Sequence, residues 1–537
     1  MCYMEKQNDS QEGETRERRQ GCLWWIAMLM ILFTVLIIGI LIAVFWYNSL
    51  GLRGVVFSNE SGLYNDSINV QIEPDGFLTR AIKIRYNMNG DDLASTSEEY
   101  VGAIRLEVPE DGYTLYTITA IACKENDECT KPQVATYVLG KNLDEDVTLD
   151  IININSSQRS LYDYDIGIMV GGRTFDENMA AGEQFAPGNY NNRGKAWMRD
   201  AFITRFDTNG GTVWAQDAQI GISGGTSSAY DVKSIKISME LQNGSSKTFR
   251  LRSGSQDRSF GNIRSSVVDR LAEESGFDGR TGTKRVVVFL NGDYYGIFDM
   301  QDTFSEQNLL QRFKLSKKKN VEKVTGNGTE TDVFRIFGIE ESYWNNLDSV
   351  ENRDRIEGLV DMDDYLKYYA ILIMTNNTDW PMNNFAAWRY VRGENENNKY
   401  EDGRIRFLIR DTDIVYHTDG DTVWFEGATG DTFRAIMDNK YRGAGSSFRK
   451  VMKSEYYRQR FIELIRSLIE GPFDTENVLK IVDEEVTKIE HQMRLFYSDE
   501  EYEEWAKQIG ILKEAASKRE EQVKEDIKDY FGVELEK

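Results

Sequence analysis

The stretch TNNTDWPMNNF, residues 375–385, follows a long apolar run and sets one carboxylate, Asp379, five residues ahead of an amide, Asn384. That separation suits phosphoryl transfer, in which an acid orients a hydroxyl while an amide oxygen holds a metal. Downstream, RIRFLIRDTD alternates Ile405, Phe407 and Ile409 and ends in Asp411 and Asp413. A strand that delivers acids at its tip offers oxygen donors on a rigid support, which is what hard Mg²⁺ requires. The same residues have a plainer reading, with Asp379 capping a helix end and Asp411 lying in a turn.

Upstream, GISGGTSSAYDVKSIKI supplies a Gly-rich turn at Gly224 and Gly225, hydroxyls at Thr226, Ser227 and Ser228, and Lys233 and Lys236 on an alternating stretch. Glycines let backbone amides approach a phosphate, and a strand lysine reaches its oxygens. An ordinary hairpin with solvated lysines looks the same. The chain has two histidines, His417 and His491, and no CxxC. A histidine-based zinc site or a Ser-His-Asp triad is therefore disfavoured, because each needs imidazoles at specific places.

The elements that must hold these residues are legible in outline. DMDDYLKYYAILIM opens with an acidic cap, Asp361, and turns apolar through Leu366, Tyr369, Ala370 and Ile373, which predicts a helix running into the Asp379 loop. KRVVVFLNGDYYGIF places Asn291-Gly292 between two β-rich runs, the signature of a type I′ hairpin with positive φ at both central positions. Val478, Val482, Val486, Ile489, Met493 and Phe496 keep helical spacing, and SDEE at 498–501 reads as a capping box opening one more helix. These tail helices are expected to be scaffold.

At 537 residues the chain is too long for one ordinary core, so two folded domains are expected. Forty percent hydrophobic and 12% aromatic residues suffice to build them. The net charge of -24 would repel a phosphate backbone, which argues against nucleic acid and leaves room for a cation. Residues 22–47 carry no charge, and a helix needs about 20 apolar residues to cross a bilayer. Trp24, Trp25, Trp46 and Tyr47 sit at its ends, and Arg16, Arg18 and Arg19 precede it while only Arg53 follows closely. The expectation is a single-pass membrane protein with a cytoplasmic tail at 1–21, a span at 22–47 and its main domains outside the cytoplasm. Cys123 and Cys129 then fall outside, either as a disulfide closing a hairpin or as two free thiols.

Between 54 and 141, alternation at Ile68, Val70 and Ile72 and at Ile82, Ile84 and Tyr86, with a turn at 88–92 and the YTLYTITAIA run, predicts a small β-sandwich. Through FSNESGLY and IRYNMNGDD it resembles the chitobiase-type, immunoglobulin-like domains that accompany extracellular enzymes. The resemblance implies a spacer or a weak module for contacting glycan, cell wall or protein.

From about 155 onward the Gly-Ser turn before a KS strand, the FLNGDYYGIF hairpin, the NNTDWPMNN loop, the RDTD strand end and the tail FRKVMKSEYYRQRFIELI together resemble the spore coat protein H (CotH) kinase family. That resemblance implies an α+β, atypical protein-kinase-like fold with a helical C-terminal tail over 155–537. It also implies transfer of phosphate from ATP to serine or threonine of secreted proteins with Mg²⁺ or Mn²⁺. In this sequence Asp379 would be the catalytic-loop acid and Lys233 would contact phosphate beside Gly224, Gly225 and Ser227. Asn384 and Asp411, with Asp413, would hold the metal. Three positions depart from the family pattern. Ser223-Gly224-Gly225-Thr226-Ser227 stands where the family usually has Arg-Gly-Asn-Ser-Ser, Gln301 replaces a glutamate for which Asp302 or Glu306 could substitute, and Arg410-Asp411 replaces Trp-Asp. The alternative is a cell-surface binding or scaffolding protein whose kinase-like domain no longer catalyses.

Overall fold

The computed structural model describes residues 52–535 except 77–81, 89, 91–92, 94–96, 126–127, 184–185, 242–243, 326–328, 392–396, 418–429 and 442, together with Trp24 and residues 28–43. Residues 28–43 are helical with exposed side chains. Among the described residues no helix is long and apolar enough to cross a membrane. The tail at 1–21, both ends of the span expected at 22–47 and part of the turn expected at 88–92 lie outside the described residues.

A five-stranded sheet organises the first part of the chain, in the order Gly62–Tyr64, Gln133–Gly140, Tyr113–Cys123, Lys83–Asn87 and Glu98–Glu99. Because successive strand residues point to opposite faces, its long central strands serve two cores. Ile118, Ala120, Tyr137 and Leu139 pack with Val55, Val70 and Leu106 beneath two small two-stranded sheets. The intervening residues face the other way. Tyr113, Leu115 and Val138 join the largest core of the molecule, and the hydroxyls of Thr117 and Thr119 accept from the buried amides of Asn153 and Asn155 at 2.8 and 3.0 Å. Cys123 and Cys129 form a disulfide at the end of the Tyr113–Cys123 strand.

Asn153 and Asn155 belong to a closed seven-stranded barrel, in the order Asp150–Asn155, Arg199–Phe206, Thr212–Ser223, Ser234–Glu240, Ser246–Arg252, Asp293–Asp302 and Lys284–Leu290. Parallel pairing of its first and last members closes it. Ile152, Ile154, Ile203, Ile220, Ile235, Ile237, Leu251 and Phe298 fill the inside. Alternation then turns Arg250 and Arg252 outward on their strand, level with Gln301 and Asp299 on the neighbour. At the hairpin, Asn291 and Gly292 have φ of 54° and 95°, as a type I′ turn requires. The Asn291 side chain accepts the Ser156 amide at 2.8 Å.

The remaining chain is mainly helical, giving a mixed α and β architecture. Helix Met362–Met374 starts at Asp361, whose side chain accepts the Asp364 amide, and is buried almost throughout. It sits beside a three-stranded sheet, Val321–Val324, Ala387–Tyr390 and Arg406–Phe407. Helices Glu455–Ile469, Thr475–Phe496 and Asp499–Phe531 follow, the last opened by the Ser498–Glu501 capping box. The strand expected to carry Ile405 to Ile409 pairs in the sheet at Arg406–Phe407, after an isolated bridge from Ile405 to Val360. Beyond it the amides of Leu408 and Ile409 bond to Ala386 and Gly279 respectively. The chain therefore leaves the sheet before it delivers its acids.

Candidate active site

The helix that ends at Met374 releases the chain into a loop in which every asparagine has a structural task. Asn376, at φ 50°, donates to the Gly430 carbonyl at 2.7 Å and accepts the Thr432 amide at 2.9 Å. Asn377 accepts the Asp379 amide on its side chain and the Thr432 hydroxyl on its carbonyl. Trp380, fully buried, and Pro381 after a cis bond turn the loop back. Asn383 and Asn384 then donate to the two oxygens of Asp379 at 3.0 and 2.6 Å. Asn384 does so from φ 60°, a left-handed conformation that asparagine tolerates better than most residues.

Burial pushes the Asp379 carboxyl up to about 6, and the charge of Asp411 adds to the rise against the two amides and Arg252. A carboxylate so placed is a base poised near neutral pH. Asp411 follows on a turn at φ 57°. Arg252, 4% exposed on the outer barrel face, pairs with Asp411 at 2.6 Å and Asp413 at 3.0 Å. The guanidiniums of Arg252, Arg410 and Arg250 hold Asp411 below the usual carboxylate range despite its burial. Burial pushes Asp413 up, with Asp411 and Asp257 adding to the rise. The two acids differ in access, since the Asp411 side chain is 31% exposed and that of Asp413 only 3%.

Oxygen donors of the kind a hard divalent cation takes are thus present in Asp411 and in the Asn384 side chain. Asp413, expected as a third ligand, is instead committed to Arg252 and to the Gln256 amide. Among the described residues no three acids, histidines or cysteines cluster as a metal site. Asp411 pairs with the same Arg252 guanidinium but keeps 31% of its side chain exposed, so Asp411 with the Asn384 amide oxygen is the donor set that fits a cation.

The Gly-rich turn lies at the end of the barrel from which Arg252 emerges. Gly224 has φ 118°, and a Cβ there would meet Ser227 Oγ at 2.8 Å, so glycine is required. Its neighbour Tyr230 feels the charge of Asp413, which raises its hydroxyl after burial does. Lys233 directly precedes the Ser234–Glu240 strand and is 5% exposed. Its ammonium donates to the Tyr230 carbonyl at 2.6 Å and lies over the Tyr190 ring at 4.6 Å. The structure brings Asp379, Asn384, Asp411 and Asp413 together around Arg252, and holds Lys233 at the barrel mouth beside Gly224, Gly225 and Ser227.

A family model described as CotH kinase protein matches residues 220–523, more than half of the chain. The chain belongs to the CotH kinase family. No curated protein matches it. In this member of the CotH kinase family the three departures acquire positions. Gln301 lies opposite Arg250 and accepts its guanidinium at 3.0 Å, while Glu306 pairs with Lys323, so neither serves Lys233. Asp302 is exposed at the strand end. Arg410 donates to the Thr325 carbonyl. Where Ser223 replaces a turn arginine, Arg193 arrives from a distant segment and donates to Gly224 O at 2.7 Å, and Asn191 donates to Ser228 Oγ at 2.8 Å. Sequence reasoning missed Arg193, whose only signal is its place in the Gly- and Asn-rich stretch GNYNNRGKAW. It also missed Arg252, whose signal is the alternating FRLR run that puts both arginines on one face.

Proposed function

We propose that this CotH kinase transfers phosphate from ATP to serine or threonine hydroxyls of surface or secreted proteins, using Mg²⁺ or Mn²⁺, from a membrane anchor at 22–47 with its folded domains outside the cytoplasm. The observation that carries the reading is the Asp379 carboxyl, held on both oxygens by Asn383 and Asn384 beside Asp411 and raised to about 6. Asp379 accepts the proton of the attacking hydroxyl as its oxygen bonds to the γ-phosphorus and the bond from that phosphorus to the departing ADP oxygen breaks. Asp411 and Asn384 would hold the divalent cation, whose contribution is to neutralise charge on the phosphates. Two residues at the barrel mouth, Lys233 and Arg193, supply positive charge near the Gly-rich turn. A cleft of about 420 Å³ lined by Thr281, Asp302, Asn308 and Arg312 adjoins the Asp411 crevice, which Thr281 also lines. It lies where the last barrel strand passes into helix Glu306–Arg312, and it offers room for the nucleotide base. The sandwich at 54–141 is proposed to contact glycan, cell wall or a protein partner.

A second reading draws on Arg252. Its guanidinium already neutralises Asp411 and Asp413, so a surface binding or scaffolding protein could keep this arrangement without catalysis. Full-length protein with radiolabelled ATP, Mg²⁺ or Mn²⁺ and a serine-rich acceptor separates the two. Label on the acceptor that disappears in Asp379→Ala supports the kinase. No transfer by the wild type with either metal moves the reading to the scaffold.

A further inference from the structure

Helix Asp499–Phe531 sends one side chain deep into the base of the Asp379 loop. Arg519 is 4% exposed. Its Nε and one terminal nitrogen donate to the Ile373 carbonyl at 3.1 and 2.8 Å, and its other terminal nitrogen pairs with Asp431. Ile373 lies in the last turn of helix Met362–Met374, and its carbonyl also accepts the Asn376 amide at 2.9 Å, the first turn of the loop. Arg519 thus holds the point at which that helix lets the chain go.

The Asp431 arm leads to the same loop from the other side. Asp431 caps helix Thr432–Met437 by accepting the Arg434 amide at 2.7 Å. The residues beside it, Gly430 and Thr432, bond to Asn376, and the Thr432 hydroxyl bonds to the Asn377 carbonyl at 3.0 Å. Asn377 in turn accepts the Asp379 amide. A connected path therefore runs from Arg519 to Asp431, through the peptide bond to Thr432, and by hydrogen bonds on to Asn377 and Asp379, while a second arm from Arg519 fixes Ile373. Two turns further along the same helix, Asp526 pairs with Arg434, so helix Thr432–Met437 is gripped twice.

We infer that Arg519 is a positioning residue for Asp379, and that the tail helix is a working part of the site rather than scaffold. The inference rests on the reading of Asp379 as the catalytic acid. A guanidinium is needed because one planar group must give two converging bonds to one carbonyl oxygen and a third to a carboxylate, whereas an ammonium is a single point charge. Displacement of a catalytic group by about 1 Å costs about 100-fold in rate.

The test uses the full-length protein as wild type, Arg519→Met and Arg519→Lys. Ile509→Ala, a core truncation on the same helix away from the loop, serves as the control for lost stability. Arg519→Met is expected to lower kcat about 100-fold with KM for ATP within about twofold, and Arg519→Lys to recover part of the loss. Independently of activity, hydrogen exchange at 375–384 and 432–437 should rise at least about tenfold in Arg519→Met and stay unchanged in Ile509→Ala. If Arg519→Met does not fold, the same comparison is made with Arg519→Lys. Unchanged exchange at the loop, or an equal rise in Ile509→Ala, overturns the inference. Absence of transfer by the wild type would remove the kinase reading while leaving the exchange result to decide the positioning role.

Discussion

Asp379→Asn should remove phosphate transfer and at the same time make the protein more stable at pH 8. Burial lifts this carboxyl from 3.8 to about 6. At about 1.36 kcal/mol per pKa unit, holding it ionised in the folded state costs roughly 3 kcal/mol. An asparagine of the same shape carries no charge and avoids that cost. It accepts from only one of Asn383 and Asn384, and the amide left facing a donor costs about 1 kcal/mol. The expected net gain is about 2 kcal/mol at pH 8. The sign follows from the raised pKa: the stability contributed by the protonated carboxyl is complete below 3.8 and is lost as pH rises through about 6. The advantage of the variant must therefore close as pH falls to 4. Urea unfolding of full-length wild type and variant at pH 8, 6 and 4, followed by circular dichroism, measures the difference. A variant no more stable than the wild type at pH 8, or one with the same advantage at pH 4, refutes the account of Asp379 as a carboxylate held ionised against its surroundings.

Wild-type transfer should fall about tenfold per pH unit below about 6 and level off above it, as a base that must be ionised requires; a rate flat between pH 5 and 8 would exclude that role for Asp379. Arg252→Met should destabilise the fold by about 3–5 kcal/mol, because it leaves Asp413 buried without its guanidinium partner, and chemical denaturation would register a smaller loss as a failure of the assignment. Asp411→Ala should abolish transfer and weaken Mn²⁺ binding measured by calorimetry, whereas Lys233→Ala should weaken nucleotide binding and leave Mn²⁺ affinity in place. Replacing Cys123 and Cys129 by serine should lower stability by about 2 kcal/mol, the closure entropy of a short loop, with no effect on transfer.

Local signals carried the reading of several elements. The Asn291-Gly292 hairpin, the Asp361 cap and the Ser498–Glu501 capping box each depend on residues within four positions of one another, and each formed where the sequence placed it. The acids of the site were visible for a similar reason, since Asp379 and Asn384 share one loop. What periodicity could not show was which cation would meet those acids. Arg252 reaches Asp411 across 159 residues of chain and Arg519 reaches Ile373 across 146, separations that only tertiary packing closes. Alternation in RIRFLIRDTD also promised a longer strand than forms, because pairing partners end at Phe407 and the following amides are taken by Ala386 and Gly279. The YTLYTITAIA run could not show that Thr117 and Thr119 are buried, because the Asn153 and Asn155 amides that meet them lie 36 residues on.

That sheet, buried on both faces, removes a joint from the molecule. A module attached by a linker swings, and its reach is an average over many orientations. Here the sheet shares a core with the helical body through Tyr113, Leu115 and Val138, so the two move as one lever. With residues 22–47 in a bilayer, as proposed above, only residues 48–51 separate the span from Leu52, a reach of at most about 18 Å. The active cleft would then work at a nearly constant height above its own membrane. Its acceptors would be selected by how far their hydroxyls project from that surface as much as by their sequence.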